Sequence, residues 1–384
     1  MVACVERGRC SSHVIHNSIV VSIVLASLWS SSGVQARSFL AEGADTGAGV
    51  GARQIGMGGS GVASTKDAYT VYYNPAAMGV GTDLAVDRQL NAKLRNISYF
   101  GVTAALPVDQ FLGFRTTVGF AFFPRIHARA SGSFAESDFE SIFLRYLLPG
   151  LDGTFAGNLE SKTKVYRLAF SAHPKDSQFW SVCFSFDYID CKTNFCGTTA
   201  TSNGYSISSG DAKATSFGVS LLLKPRQDLR IGISLTDLNS SLKTEITTTD
   251  DLGTTTEHYK LSFPIKALFG VAFNLSDKLL LTGDYEAING EYGKDSLDFQ
   301  IARFGGEYQY SEMMTFRLGA VVPLKLTSQQ TKDLDLPFPF VPTFGVGWHW
   351  GSWQADFTVY ANPVQSAHEN APALYSNLSL SVHF

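Results

Sequence analysis

The chain has 384 residues, 45% of them hydrophobic and 12% aromatic, with only 17% charged and 30 basic residues against 34 acidic. A net charge of −4 gives no basic stripe for a nucleic-acid partner, and the hydrophobic content excludes a largely disordered chain. Mean hydropathy is +0.03, too low for a bundle of membrane helices; few charges, many aromatics and 35 glycines suit a chain that meets lipid on one side and water on the other.

At the N-terminus Arg7 and Arg9 precede an apolar run, Ser18–Trp29, and Val34-Gln35-Ala36 places small residues at positions −3 and −1 of a cleavage site. This pattern predicts a signal peptide over residues 1–36, cleaved near Ala36. The apolar run is short for a membrane helix of ~20 residues. Export removes NAD and ATP from the candidate cofactors, and no cofactor is expected. It also permits disulfides. Cys191 and Cys196 flank a Lys-Thr-Asn-Phe segment. A disulfide closing that loop and a pair of free thiols both fit, whereas a metal site would need two further ligands that the sequence does not offer.

Residues 37–83 are small, Gly-rich and nearly uncharged. Gly56-Met57-Gly58-Gly59-Ser60-Gly61 has G-x-G-x-x-G spacing, but no apolar strand precedes it and no βαβ unit surrounds it, so a nucleotide site is not expected. The stretch Ile55–Ala63, followed by Asp67-Ala68-Tyr69 and Asn74-Pro75-Ala76, resembles the N-terminal plug of the FadL-type outer-membrane transporters of long-chain fatty acids. The close match covers about 25 residues; chain length, strand count and the last residue extend it loosely over 37–384. The resemblance implies a plug carrying Gly56, Gly58, Gly59, Gly61, Asp67, Asn74, Pro75 and Ala76 inside a fourteen-stranded barrel. It also implies passive uptake of a long-chain fatty acid or other hydrophobic ligand, with lateral release through the wall. Glycine suits a plug because it allows close backbone approach and positive φ. Asn74 and Pro75 read as the turn that hands the plug to the first strand, not as substrate contacts.

From residue 84 onward the pattern is period-2 alternation in runs near the ~9–11 residues of a tilted membrane strand. Fourteen runs are visible: 84–91, 97–107, 111–123, 162–172, 178–188, 211–223, 229–238, 260–274, 278–287, 298–310, 314–323, 340–350, 352–361 and 374–384. Asp87 and Arg88 make the first the weakest. In 178–188, Trp180, Val182, Phe184, Phe186 and Tyr188 share one face against Ser181, Cys183, Ser185 and Asp187. Short connections such as 224–228 and 275–277 alternate with long ones such as 124–161, 189–210, 239–259 and 289–297. That asymmetry predicts an all-β, antiparallel outer-membrane barrel over 84–384, probed by a signal of its own at the end: Leu378 to Phe384 alternates up to a terminal Phe384, which resembles the mark read by barrel assembly machinery. Trp180, Tyr188, Trp348, Trp350, Trp353, Tyr360 and Tyr375 are expected at the membrane interfaces, in contact with outer-membrane lipid. A monomer is expected.

Two sets of residues are candidates for cargo. In 124–161, Phe139, Ile142, Phe143, Tyr146 and Leu147 recur at helical spacing, which predicts one apolar face: a landing groove for acyl chains, or a surface packed on the barrel rim. On the non-aromatic strand faces, Arg115, Arg167, Lys266, Arg303 and Arg317 are candidates for a carboxylate head group, or for pairing with Asp187, Asp284, Glu286, Glu307 and Asp356 and anchoring the plug. The family's third strand is kinked to open the wall; the matching run is 111–123, with Gly113 and Gly119 as the expected bulge positions. No H-E-x-x-H or G-x-S-x-G arrangement occurs, so an enzyme is not expected. Two functions compete: a hydrophobic importer, and a surface binding protein (adhesin or export shuttle) that uses the Thr/Ser-rich loops 193–209 and 240–256.

Overall fold

The computed structural model describes residues 38–45, 49–79, 83–90, 95–106, 113–134, 155–176, 179–192, 199–202, 205–209, 212–240, 242–250, 253–292, 295–328, 339–363, 365–366 and 371–384. Fourteen strands form its wall. They are β1 (Asp83–Leu90), β2 (Arg95–Ala105), β3 (Phe114–Phe134), β4 (Phe155–Pro174), β5 (Trp180–Lys192), β6 (Ala212–Arg226) and β7 (Leu229–Leu238). Then come β8 (Ile265–Ser276), β9 (Leu279–Tyr292), β10 (Asp295–Gln309), β11 (Met314–Ser328), β12 (Val341–Trp350), β13 (Trp353–Ala361) and β14 (Leu374–His383). Each pairs antiparallel with the next, and β14 pairs with β1 from Ser376↔Leu90 to His383↔Asp83. The sheet therefore closes into a barrel with no free lateral edge to leave unbonded in lipid. Among the described residues no helix is long and apolar enough to cross a membrane.

Each of the fourteen alternating runs overlaps one wall strand, because the period of two decides which side chains face out. Phe170, Phe184, Phe269, Phe304, Leu318 and Phe344 point outward and are exposed, while Ser171, Ser185, Ser216, Ser234, Thr343 and Ser379 point inward and are buried. Trp348, Trp350 and Trp353 are exposed around the tight β12–β13 turn, as an interface girdle requires. Tyr360 and Tyr375 are a correction: both are buried inside the barrel and cluster with Ile55. The awkward Asp87-Arg88 step is a register shift in the β1–β2 ladder.

The long connections are less loop-like than the sequence suggests. β3 and β4 stay paired up to Phe134↔Phe155, and β9 and β10 up to Tyr292↔Asp295. Within 239–264, strands Leu242–Asp250 and Gly253–Leu261 form a hairpin. Within 193–211, Thr199–Ser202 and Tyr205–Ser209 form another, and the two hairpins pair through Ile246↔Ser209. Run 260–274 is thus split: residues 260–261 end the hairpin, and β8 starts after Pro264, which has no N–H for a ladder.

Candidate functional site in the barrel lumen

Residues 49–79 make only short helical turns, Ala52–Gly56, Thr70–Tyr73 and Pro75–Ala77. They are nonetheless almost completely buried, with Ala52, Met57, Val62, Ala68 and Tyr69 at 0% exposure. What buries them is the inward face of the wall. The Gly58 amide donates to Thr343 Oγ1 at 2.9 Å, and that hydroxyl donates to the Gly56 carbonyl at 3.1 Å. The Gly61 and Val62 amides both donate to Asp284 Oδ2, at 2.7 and 2.9 Å. Tyr99 donates to the Ala68 carbonyl at 2.6 Å. Irregular backbone cannot satisfy its own polar groups, so inward Thr, Ser and Asp side chains do it. Where the wall presents glycine, backbone touches backbone: Gly305, Gly319 and Gly345 meet Met57, Gly58 and Gly56.

The motif residues divide by role. Asn74 caps the Pro75–Ala77 turn by accepting from the Ala76 amide at 3.1 Å. Its Nδ2 donates to the Val62 and Leu221 carbonyls at 3.0 and 3.1 Å, so it ties the segment to itself and to β6. Asp67 Oδ1 accepts from the Tyr69 amide at 3.0 Å. Burial pushes the Asp67 carboxyl up to about 6, with Arg53 pulling it down against that. The docked segment then holds this proton more tightly than an undocked one, whose carboxyl titrates at the ordinary 3.8. Docking should weaken as pH rises from about 4 to 6 and stay weakened above it. Asp67→Asn should reduce that dependence and slow amide exchange over 54–76 at pH 7, read by hydrogen-exchange mass spectrometry.

The lumen charges sit in two layers. Near the short turns, Arg53 binds Glu307 at 2.7 and 2.9 Å, and Arg317 binds Glu307 and Asp356 at 2.7 and 2.6 Å. Further toward the long hairpins, Arg303 pairs with Glu286 at 2.6 Å, and Lys266 reaches Asp45 at 3.0 Å and Glu286 at 3.5 Å. Arg167 forks onto Asp187 with both contacts at 2.7 Å and donates to the Tyr72 carbonyl at 3.0 Å. Arg125, absent from the sequence-based candidates, binds Asp237 at 2.6 and 2.9 Å and also Asp45. Burial opposes ionisation of Asp45, yet Arg125 and Lys266 hold its carboxyl down at about 2. These groups line a cavity of about 30 Å³ beside Tyr72, Tyr73 and Phe123, room for about one water. Arg167, Lys266, Arg303 and Arg317 are therefore paired with carboxylates; Arg115 alone of the five is exposed at the start of β3. Phe139, Ile142, Phe143, Tyr146, Leu147 and Cys196 lie outside the described residues, while Cys191 is disulfide-bonded.

The wall is not equally stitched all round. β3 shares twenty residue pairs with β4 but only six with β2, which end at Phe100↔Phe122. Beyond that point Ser38–Glu42 takes the vacated edge of β3 by pairing with residues 127–131, and the Ala44 and Asp45 amides continue it to the Pro124 and Arg125 carbonyls, both at 3.0 Å. The β3–β4 register slips between Pro124 and Ile126, just where Arg125 continues the inward row of Ala121 and Phe123. The expected bulge at Gly113 and Gly119 is a correction: the ladder runs regularly through Gly119, and the register slip of β3 lies at Arg125. Gly113 is in the turn before β3, and a Cβ at Gly119 would collide with Met78 and Val71.

No family model matches the sequence, and no curated protein is similar to it at a significant level. Solved structures are informative. The toluene transporter TbuX of Ralstonia pickettii superposes with a TM-score of 0.54 over 88% of this chain and 99% of its own, at 16% identity. The chain has the FadL-type barrel fold. Within that fold, the P. putida toluene transporter TodX gives a TM-score of 0.55 at 11% identity, over 88% of this chain and 99% of its own. A FadL homologue from Pseudomonas aeruginosa gives 0.52 at 11% identity, over 90% and 98%.

Proposed function

We propose that the protein is a passive outer-membrane channel for hydrophobic small molecules, with residues 49–79 as its plug and the β2–β3 seam as its exit into the membrane. The seam carries this reading: it is the place where the wall's own ladder stops while the lumen side is lined by apolar and aromatic groups, Tyr99 and Phe123 stacking at 6.5 Å. The FadL-type fold supports the hydrophobic cargo, since the solved structures it resembles include toluene transporters and a FadL homologue. Capture by the apolar set Phe139, Ile142, Phe143, Tyr146 and Leu147 and long-chain fatty acids as cargo are the finer parts of the same proposal. Burial of ~0.8 kcal/mol per CH₂ makes such a ligand slow to leave any tight site, so a release path into lipid suits it better than one through water.

Reconstituted protein should speed entry of toluene and laurate into proteoliposomes and leave arabinose entry unchanged. Equal rates for all three, or none above protein-free vesicles, would overturn the reading. A second reading, a surface binding protein, is favoured by one observation: the paired hairpins over 199–209 and 242–261 extend the wall as an ordered Thr/Ser-rich sheet.

A further inference from the structure

Strand β3 is longer than a membrane crossing needs. A tilted strand crosses in ~9–11 residues, and Phe114 to Pro124 already supplies that length from the short-turn end. Residues 127–131 therefore stand beyond the lipid on the side of the long hairpins, which in an outer-membrane barrel is the outside. Their edge away from β4 is taken by Ser38–Glu42, running antiparallel: Glu42 pairs with His127, and Ser38, furthest out, pairs with Ser131. One end of this stretch thus stands above the membrane, while residues 49–79 lie in the lumen.

A clasp joins the two. Gly43 turns inward at φ +118°, where a Cβ would lie 2.5 Å from the Arg125 carbonyl oxygen, an approach open to glycine alone. The Ala44 carbonyl accepts from Tyr72 Oη at 3.2 Å. Asp45 binds Arg125 of β3 and Lys266 of β8, the latter at 3.0 Å. Asp45 and Gly49 are four residues apart, so at most about 14 Å of chain connects the clasp to the buried segment. There Val50 is fixed by Tyr73 Oη, which accepts from its amide at 3.1 Å and donates to its carbonyl at 2.8 Å. Neighbouring tyrosines of one helical turn, Tyr72 and Tyr73, therefore hold the clasp and the start of the segment.

We propose that residues 38–45 are a strap: a strand on the cell-surface side of the barrel that keeps segment 49–79 seated through Asp45, so that peeling it from β3 unseats the segment. The inference goes beyond the transport reading and does not use it, since it concerns the barrel and its buried segment whatever the cargo. Five residue pairs hold the strap to β3, against twenty between β3 and β4, and so short a ladder opens at a lower free energy than the barrel. With cleavage near Ala36, Ser38 would be the second residue of the exported chain, which gives the strap a free end from which to peel.

The test uses the full barrel in intact cells and in lipid nanodiscs. Ser38→Cys should react with a membrane-impermeant maleimide in intact cells, measured against the unsubstituted chain as background. Labelling only after lysis or denaturation would overturn the outside placement. In nanodiscs, Asp45→Asn should raise amide exchange at least tenfold over both 38–45 and 49–62. The wall should stay intact, because Arg125 keeps Asp237 at 2.6 and 2.9 Å and Lys266 keeps Glu286 at 3.5 Å. Phe39→Cys with Ala130→Cys, facing positions of the ladder, should cross-link on mild oxidation and return both segments of the Asp45→Asn protein toward the native rate until reductant is added. Failure of that pair to cross-link would overturn the pairing. Faster exchange over 38–45 alone would mean that the strap does not hold the segment, and unchanged exchange over both would mean that Asp45 anchors neither. Each of these results overturns the strap and leaves hydrophobic transport standing.

Discussion

Arg317→Leu should cost the folded barrel about 3–5 kcal/mol, the usual penalty for breaking a buried ion pair by removing one partner. Arg317 has a fully buried side chain and binds Glu307 and Asp356 at once. Leucine would leave Asp356, 1% exposed, without its cation, and would leave Glu307 with Arg53 alone. Because Arg53 belongs to the buried segment 49–79, the damage should spread from the wall into that segment. The measurement is the urea midpoint of the boiling-sensitive, SDS-resistant form in lipid vesicles. Adding Asp356→Asn to Arg317→Leu should recover much of the loss, since the neutral amide removes the uncompensated charge while Glu307 keeps its pair with Arg53. An unchanged midpoint for Arg317→Leu alone would mean that the clamp contributes nothing to stability.

That prediction uses pairings that the sequence contains only as a possibility. The alternation of β5 already put Asp187 on the lumen face, and β4 did the same for Arg167, but register decides that they meet as a two-pronged pair. Register depends on the whole closed sheet, so it is not written in any one strand. Fourteen strands and their facing were legible because lipid outside and small polar groups inside leave a period of two in every run. The Gly-rich motif over 55–76 was legible as a chemical pattern, but its partners Gly305, Gly319 and Gly345 were not, because a glycine within an alternating run shows which backbone it meets only once the strands are in register. Arg125 was hidden because the alternating run ends at residue 123 and 124–161 reads as a loop, whereas the strand continues and Arg125 keeps the inward row of Ala121 and Phe123. The hairpin extensions were hidden for a different reason. Thr- and Ser-rich strands above the membrane need not alternate, since both faces meet water.

Gly319→Val should open the lumen while leaving the wall assembled. Valine is favourable in a strand, so β11 itself should tolerate it. The difficulty lies on the lumen side, where a Cβ at Gly319 would fall on the Gly58 amide nitrogen and 2.8 Å from the Met57 Cα. Gly58 cannot yield easily. Its φ of +72° belongs to the left-handed region, and a Cβ there would lie 2.6 Å from the Ala320 carbonyl oxygen. Two backbones therefore meet where neither can retreat, and overpacking of this kind costs about 1–3 kcal/mol. Among the described residues, segment 49–79 is held by side-chain hydrogen bonds that include Thr343 to Gly56 and Gly58 and Asp284 to Gly61 and Val62. Displacing residues 56–62 would break the first pair and strain the second. Planar-bilayer recordings should then show a large, persistent ionic conductance in the variant and almost none in the native protein. Gly306→Val is the matched control: Gly306 pairs with Leu318 next to the Gly305↔Gly319 pair, yet a Cβ there meets nothing nearer than 3.6 Å, at the Leu281 side chain. It should stay closed. If both variants conduct alike, the plug is not seated by this backbone contact; if neither does, the wall yields instead and the plug remains docked.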